Sequence, residues 1–251
     1  MVVLLRQLLS LSAVLGSRRV PMIATSGVAT VASPASSCAT RGIIFDLDGT
    51  LTLPGAIDFN AMYRRIGLDR RPGTDLLTQV NAMADLQARS RAHGIIVEEE
   101  RIGVGRMQLR SDLLEFMGRL HSSSVKNLAI STRNCPFALE AFLGAIYDQS
   151  PLRFYPTLHR DTLGLINKPD PRVAMHIIEQ WRTESAPNND MRSEEVWFVG
   201  DSEDDVACGK SAGMKTCLLL TDYNCHLAAE QPGLVDLQVA TLMEFADHIR
   251  L

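Results

Sequence analysis

From residue 41 onward, short continuous apolar runs alternate with longer stretches in which apolar residues recur every three or four positions. Ile43-Ile44-Phe45, Leu128-Ala129-Ile130-Ser131 and Val196-Trp197-Phe198-Val199 have the length and the β-branched and aromatic content of strands buried on both faces. Lys215 to Leu220 predicts a final strand, and Phe154-Tyr155-Pro156 a short edge strand. Between these runs the helical period puts Leu113, Leu114, Met117 and Leu120 on one inward face, and Val173, Ala174, Ile177, Ile178 and Trp181 on another. Pro136 opens a helix to about Ile146, at a first-turn position where a missing N–H does no harm, and Asp170-Pro171 caps and opens the next. Asp204 to Ala212 and Thr241 to Ile249 complete the helices. Strands alternating with helices predict an α/β fold on a parallel sheet.

One stretch breaks the alternation. From Asp58 to about Met107 the pattern is helical and rich in both charges, and Gly67, Pro72-Gly73 and Gly94 divide it into three or four helices. Pro54-Gly55 and Gly103-Val104-Gly105 read as its outgoing and returning hinges. The chain therefore divides into a core of residues 41–57 and 108–251 and a helical insertion at 58–107, with Ser185 to Asp190 as a polar loop. Residues 1–40 are rich in Ser, Ala and Arg, and a helical wheel sets Leu4, Leu5, Leu8, Leu11 and Leu15 opposite Arg6 and Ser10. That pattern predicts an organellar transit peptide, for a chloroplast or mitochondrion. The alternatives are a secretory signal built on Leu8 to Gly16 and an uncleaved extension on a cytoplasmic protein.

Composition narrows the partners. With 251 residues, 46% hydrophobic and 22% charged, the chain can bury the core of one or two globular domains. Residues 1–45 hold four Arg and no acid, so the remainder sets 21 basic against 29 acidic residues, a balance that disfavours a nucleic-acid partner. No run approaches the roughly 18 apolar residues of a membrane helix. Cys38, Cys135, Cys208, Cys217 and Cys225 are odd in number and form no CxxC pair, which indicates neither a disulfide framework nor a zinc site and fits a reducing compartment.

Ligands of open α/β sheets bind beyond the carboxyl ends of the strands, and four such places carry apt groups. Asp46 and Asp48 end the first strand, two residues apart and so directed the same way. A fold gains from two such like charges only where a cation or proton sits between them, and clustered oxygens suit Mg²⁺. Gly49 lets the backbone leave the sheet sharply. After the second strand, Thr132-Arg133-Asn134 offers a hydroxyl and N–H groups that either hold phosphate oxygens or cap a helix. Lys168 precedes a helix start, where it can neutralise a phosphate and a carboxylate. Gly200-Asp201-Ser202-Glu203-Asp204-Asp205 follows the strongest strand and reads either as metal ligands or as the acidic first turn of a helix. Cys135 lies near a helix start close to Arg133, where a thiol pKa can be lowered.

Taken in order, an acid pair, a hydroxyl after a strand, a lysine before a helix and Gly-Asp after a strand resemble the four-motif series of the haloacid dehalogenase-like hydrolase superfamily, over about Arg41 to Leu220. Asp-Gly-Thr-Leu-Thr-Leu-Pro, Ile57 to Arg64, Thr132-Arg133-Asn134 and Asp205 to Lys210 are similar to a plant subgroup of it. The resemblance implies a Rossmann-like core with an inserted helical cap, Mg²⁺ dependence and an aspartyl-phosphate intermediate. Carried over, it makes Asp46 the nucleophile and a metal ligand, and Asp48 the general acid/base with its carbonyl on the metal. Asp201 becomes the remaining carboxylate ligand and Asp205 one that reaches the metal through another ligand or a water, preferred over Asp204 by the Gly-Asp-Ser-x-x-Asp spacing. Thr132, with Ser131 as its neighbour, joins Arg133 and Lys168 on the phosphate. The expectation is a Mg²⁺-dependent phosphatase acting on a small phosphorylated metabolite, with a phosphomutase or a non-catalytic regulatory protein of the same fold as alternatives. Within the cap, Arg64, Arg65, Arg89, Arg91 and His93 either face solvent or read a second anionic group.

Overall fold

The computed structural model describes residues 39–251 apart from 72–73, 165 and 185–189. The expected transit segment, the Pro72-Gly73 break and most of the Ser185 to Asp190 loop lie outside the described residues. Six strands form one parallel sheet: β1 (Gly42–Phe45), β2 (Asn127–Ser131), β3 (Thr157–Leu158), β4 (Val196–Gly200), β5 (Lys215–Leu219) and β6 (Leu237–Val239), in the order β3-β2-β1-β4-β5-β6. Ile43 of β1 lies in register with Leu128 on one side and Trp197 on the other, so the strand carrying the acid pair is central.

Successive side chains of β1 point to opposite faces and divide the interior in two. Ile43 and Phe45 join Leu128, Ile130 and Val199 in a layer closed by α4 (Leu113–Ser122), α5 (Pro136–Tyr147) and α9 (Leu242–Ile249). Ile44 faces the other way, packing with Ala129 and Phe198 under α6 (Pro171–Glu184) and α7 (Glu203–Ser211). The sheet is thus covered on both faces, as its continuous apolar strands require. Asp170 caps α6 as expected, its carboxylate accepting the Arg172 N–H at 2.9 Å.

The insertion holds α1 (Phe59–Ile66), α2 (Leu76–Asn81) and α3 (Leu86–Val104), with a small apolar cluster of Met62, Leu76, Val80, Ala92 and Ile96. Each helix starts at an aspartate, Asp58, Asp75 or Asp85, whose side chain accepts N–H bonds from the first turn. Gly67 ends α1 in the left-handed conformation, φ 78°. Two expectations fail here. Gly94 does not interrupt the helices: α3 runs straight through it, and a Cβ there would meet nothing within 4 Å. Gly103 is no hinge, because it lies in the last turn of α3 with an added Cβ only 2.9 Å from the Ile57 side chain. The two connections of the insertion instead meet where Thr52 pairs with Leu109, the Leu53 N–H donating to the Gln108 carbonyl at 2.8 Å.

The sheet edges also depart from the pattern. β3 begins after Pro156, which has no N–H for a ladder, rather than at Phe154. β5 is not last: β6 adds a three-residue edge, its central Gln238 exposed, which is too short and too polar to register as an apolar run. A four-residue helix, α8 (Leu227–Glu230), precedes it.

Candidate active site

Asp46 follows Ile44 by two residues and so continues the face of β1 on which α6 and α7 pack. Its own N–H still donates to the Val199 carbonyl at 2.9 Å, which anchors it to the sheet. Lys168, just before α6, is 5% exposed, and its ammonium donates to Asp46 Oδ1 at 2.5 Å and to Asp205 Oδ1 at 2.6 Å. Asp205, in the first turn of α7, has its other oxygen filled by the Ser202 N–H at 3.0 Å and the Ser202 hydroxyl at 2.6 Å. Gly200 makes room for it, since a Cβ there would fall 2.3 Å from the Asp205 Cβ.

Asp201 completes an acid cluster: one oxygen each from Asp46, Asp201 and Asp205 lie within 4.8 Å of one another. The turn after β1 needs glycine for two reasons. Gly49 has φ 79°, and a Cβ on it would sit 2.0 Å from Asp201 Oδ2. Three carboxylates around one ammonium are electrostatically under-neutralised, and an all-oxygen set suits a hard divalent cation. The electrostatics of the cluster carry the same imbalance. Burial pushes Asp46 up to about 7, with Lys168 opposing and Asp205 and Asp48 reinforcing the shift. Burial and then the Asp46 and Asp205 charges push Asp201 up to about 8. Burial alone would lower Lys168, but Asp205 and Asp46 outweigh it and hold the ammonium protonated.

Asp48 lies outside that cluster. Its carboxylate accepts a bond from the side-chain amide of Asn134, and burial raises its pKa against that bond. Thr132 is buried, its N–H bonded to the Leu158 carbonyl at 2.9 Å and its hydroxyl accepting the Asn134 N–H at 3.1 Å. Ser131, also buried, ends β2. The Thr132 hydroxyl does not cap α5, whose N-cap position is Cys135. Arg133 is engaged elsewhere, its guanidinium 3.2 Å from Asp75 and 2.7 Å from Asp204. Asp204 thus belongs to that ion pair rather than to the acid cluster. The Cys135 thiol is buried and pushed up to about 12, chiefly by desolvation and then by Glu100, the reverse of the lowering its helix-start position suggested.

Above the site a cleft of about 340 Å³ opens between the insertion and the β2–α5 loop, reaching Asn134 and Arg133. Its walls include Phe59, Met62, Leu77 and Ile96, with Arg70 and Arg71 at the rim. Arg64, Arg65, Arg89, Arg91 and His93, which the sequence left open between solvent and a second anionic group, are not among its lining residues. Arg65 pairs with Glu98 and Glu99, Arg64 lies 3.9 Å from Asp58, and Arg89 and His93 bond to Asn81. Arg70 and Arg71 were not singled out in the sequence, and Asn134 was named there only within Thr132-Arg133-Asn134, with no role for its side chain.

The family model of the haloacid dehalogenase-like hydrolases matches residues 40–213. The chain belongs to this family. It is therefore a hydrolase, with the expected Rossmann-like α/β fold. A haloacid dehalogenase-like hydrolase domain-containing protein of Arabidopsis thaliana is 35% identical over 189 residues, 71% of this chain and 70% of that one. An uncharacterized hydrolase of Saccharomyces cerevisiae is 32% identical over 211 residues, 84% of this chain and 91% of that one. Among solved structures, a predicted phosphoglycolate phosphatase from Haemophilus somnus matches with TM-score 0.59 at 16% identity, covering 85% of this chain and 99% of that one. A phosphatase of the superfamily from Thermococcus onnurineus matches with TM-score 0.55 at 18% identity, over 84% and 98% of the two chains. At such identities the structural likeness carries the fold. Among the described residues no helix is long and apolar enough to cross a membrane.

Proposed function

We propose that this hydrolase is a Mg²⁺-dependent phosphatase of small phosphorylated metabolites, working through an aspartyl phosphate on Asp46. The observation that carries the reading is the buried Asp46–Lys168–Asp205 bridge beside Asp201, with a second carboxylate, Asp48, held by Asn134. Asp46 and Asp201 would hold the ion together with the Asp48 carbonyl. Asp205 has both oxygens on protein donors, so it orients Lys168 and would act on the ion only indirectly. Bound Mg²⁺ supplies positive charge that keeps Asp46 ionised and offsets the phosphate.

The protein groups then divide the work. Asp46 attacks phosphorus, the bond to the leaving oxygen breaks, and Asp48, its pKa raised by burial, delivers a proton to that oxygen. Asp48, now a carboxylate, takes a proton from water as the water attacks phosphorus. Inorganic phosphate leaves and Asp46 is restored. Lys168 and the Thr132 or Ser131 hydroxyl steady the phosphoryl oxygens, and the α1 to α3 segment, residues 58–107, acts as a cap that excludes water. Residues 1–40 direct the chain to an organelle, which a fluorescent fusion of that segment tests.

The deciding assay is phosphate release from a panel of phosphomonoesters with Mg²⁺ and with chelator. Metal-dependent release is expected. No release from any ester overturns the reading, and interconversion of phosphate positions without release would replace it by a mutase.

A further inference from the structure

The cleft over the site has a charge pattern that its function as a phosphate site does not explain. Two acids line it, and each is already matched: Asp75 by Arg133, and Glu100 by a two-bond pair with Arg160 that is almost wholly buried. Arg70 and Arg71 have no such match. Both are exposed, neither pairs with an acid among the described residues, and Arg70 rests over the Tyr63 ring, 5.3 Å from its centroid. Their neighbours Arg64 and Arg65 sit beside acids, so the contrast lies within one short segment. Apart from these charged and polar groups the lining is apolar, with Phe59, Met62, Leu76, Leu77 and Ile96, and Phe59 is 52% exposed.

We infer that the substrate is a phosphomonoester whose leaving group carries an apolar body and, at its far end, a second anionic group held by Arg70 and Arg71. This rests on the phosphatase reading for the scissile end and extends it to the leaving group. The phosphate enters at Asp46, and Asn134, which lines the cleft and bonds to Asp48, joins the cleft to the acid pair. The apolar body lies along Phe59, Leu77 and Ile96, and a carboxylate or second phosphate meets the guanidinium groups at the rim. Arginine suits that task, because its planar donors meet such oxygens in pairs.

Two aryl esters test the inference: phenyl phosphate and 3-(4-phosphonooxyphenyl)propanoate, alike except for the carboxylate arm. The wild-type protein should prefer the carboxylate-bearing ester by about tenfold or more in kcat/KM, mainly through KM, as a charge-assisted contact provides. In a double variant, Arg70→Gln with Arg71→Gln, the ratio should collapse toward one while the unfolding temperature stays put. The Arg70→Lys, Arg71→Lys pair should keep part of it. Equal kcat/KM for both esters in the wild type, or a preference that survives the double glutamine change, overturns the inference. Affinity of the same two esters for Asp46→Asn protein, measured by calorimetry, gives the ratio without turnover. If no ester is hydrolysed yet the affinities differ through Arg70 and Arg71, the phosphatase reading fails and the anion site stands.

Discussion

Replacing Lys168 by methionine keeps an unbranched side chain one atom shorter and removes its charge. In the wild type the ammonium joins Asp46 at 2.5 Å and Asp205 at 2.6 Å, with the lysine side chain only 4% exposed. Breaking a buried ion pair by deleting one partner costs about 3–5 kcal/mol, because the remaining charge stays buried without compensation. For a chain of this size that corresponds to a melting temperature lower by roughly 10 °C. The deficit should depend on pH in a definite direction. Asp46 has a folded pKa raised from 3.8 to about 7, so its ionisation opposes folding progressively as pH rises through that window. Lys168 restrains the shift, and without it the carboxyl is pushed higher still. At about pH 5 Asp46 is protonated in both folded proteins, so the deficit is smaller and rests on the lost Lys168–Asp205 contact. At about pH 8 the wild type holds a paired carboxylate and the variant does not, so the deficit is large. Urea unfolding in chelator at the two pH values measures this. A loss under about 1 kcal/mol, or one equal at both pH values, would refute the electrostatic account of the site.

Other consequences can be checked singly. Mg²⁺ should raise the melting temperature of the wild type more at pH 8 than at pH 6, since Asp46 and Asp201, raised to about 7 and 8, must lose protons to bind it; a pH-independent increment contradicts that cluster as the site. Asn134→Ala should move the basic limb of kcat/KM upward in pH for an alkyl phosphate, because the amide is what lowers the Asp48 pKa against burial; an unmoved limb would remove Asp48 from the acid role. Gly94→Ala should stabilise the protein by about 0.5–1 kcal/mol, being exposed, helical and clear of contacts, whereas Gly49→Ala, at φ 79° against Asp201, should weaken Mg²⁺ affinity. Thermal melts and metal titrations of the two variants separate these effects.

Most of the core was legible because its strands are buried on both faces. Ile43 to Phe45 and Val196 to Val199 are uniformly apolar and end in acids, so strand and candidate site announce each other. The edges were less so: β6 spans Leu237–Val239 with an exposed glutamine inside it, and a three-residue edge needs no apolar run. Gly94 misled because propensity weighs one residue while α3 has nineteen, anchored at Asp85 and by Ala92 and Ile96 in the cluster of the insertion. At the site, side chains placed by strand ends and helix starts were readable from spacing. Partners chosen in three dimensions were not. Nothing in the sequence links Asn134 to Asp48, Arg133 to Asp75 and Asp204, or Arg160 to Glu100.

The central claim is that Asp46 itself carries the phosphoryl group between substrate and water. Rapid acid quench of enzyme mixed with excess phosphate ester, followed by mass spectrometry of the peptide containing Asp46, tests it most directly. The account predicts a peptide heavier by one phosphoryl group, formed in the first turnover, alkali-labile as an acyl phosphate is, and absent from Asp46→Asn, which should show no turnover. Steady hydrolysis with no adduct at any quench time, together with activity retained in Asp46→Asn, would contradict it.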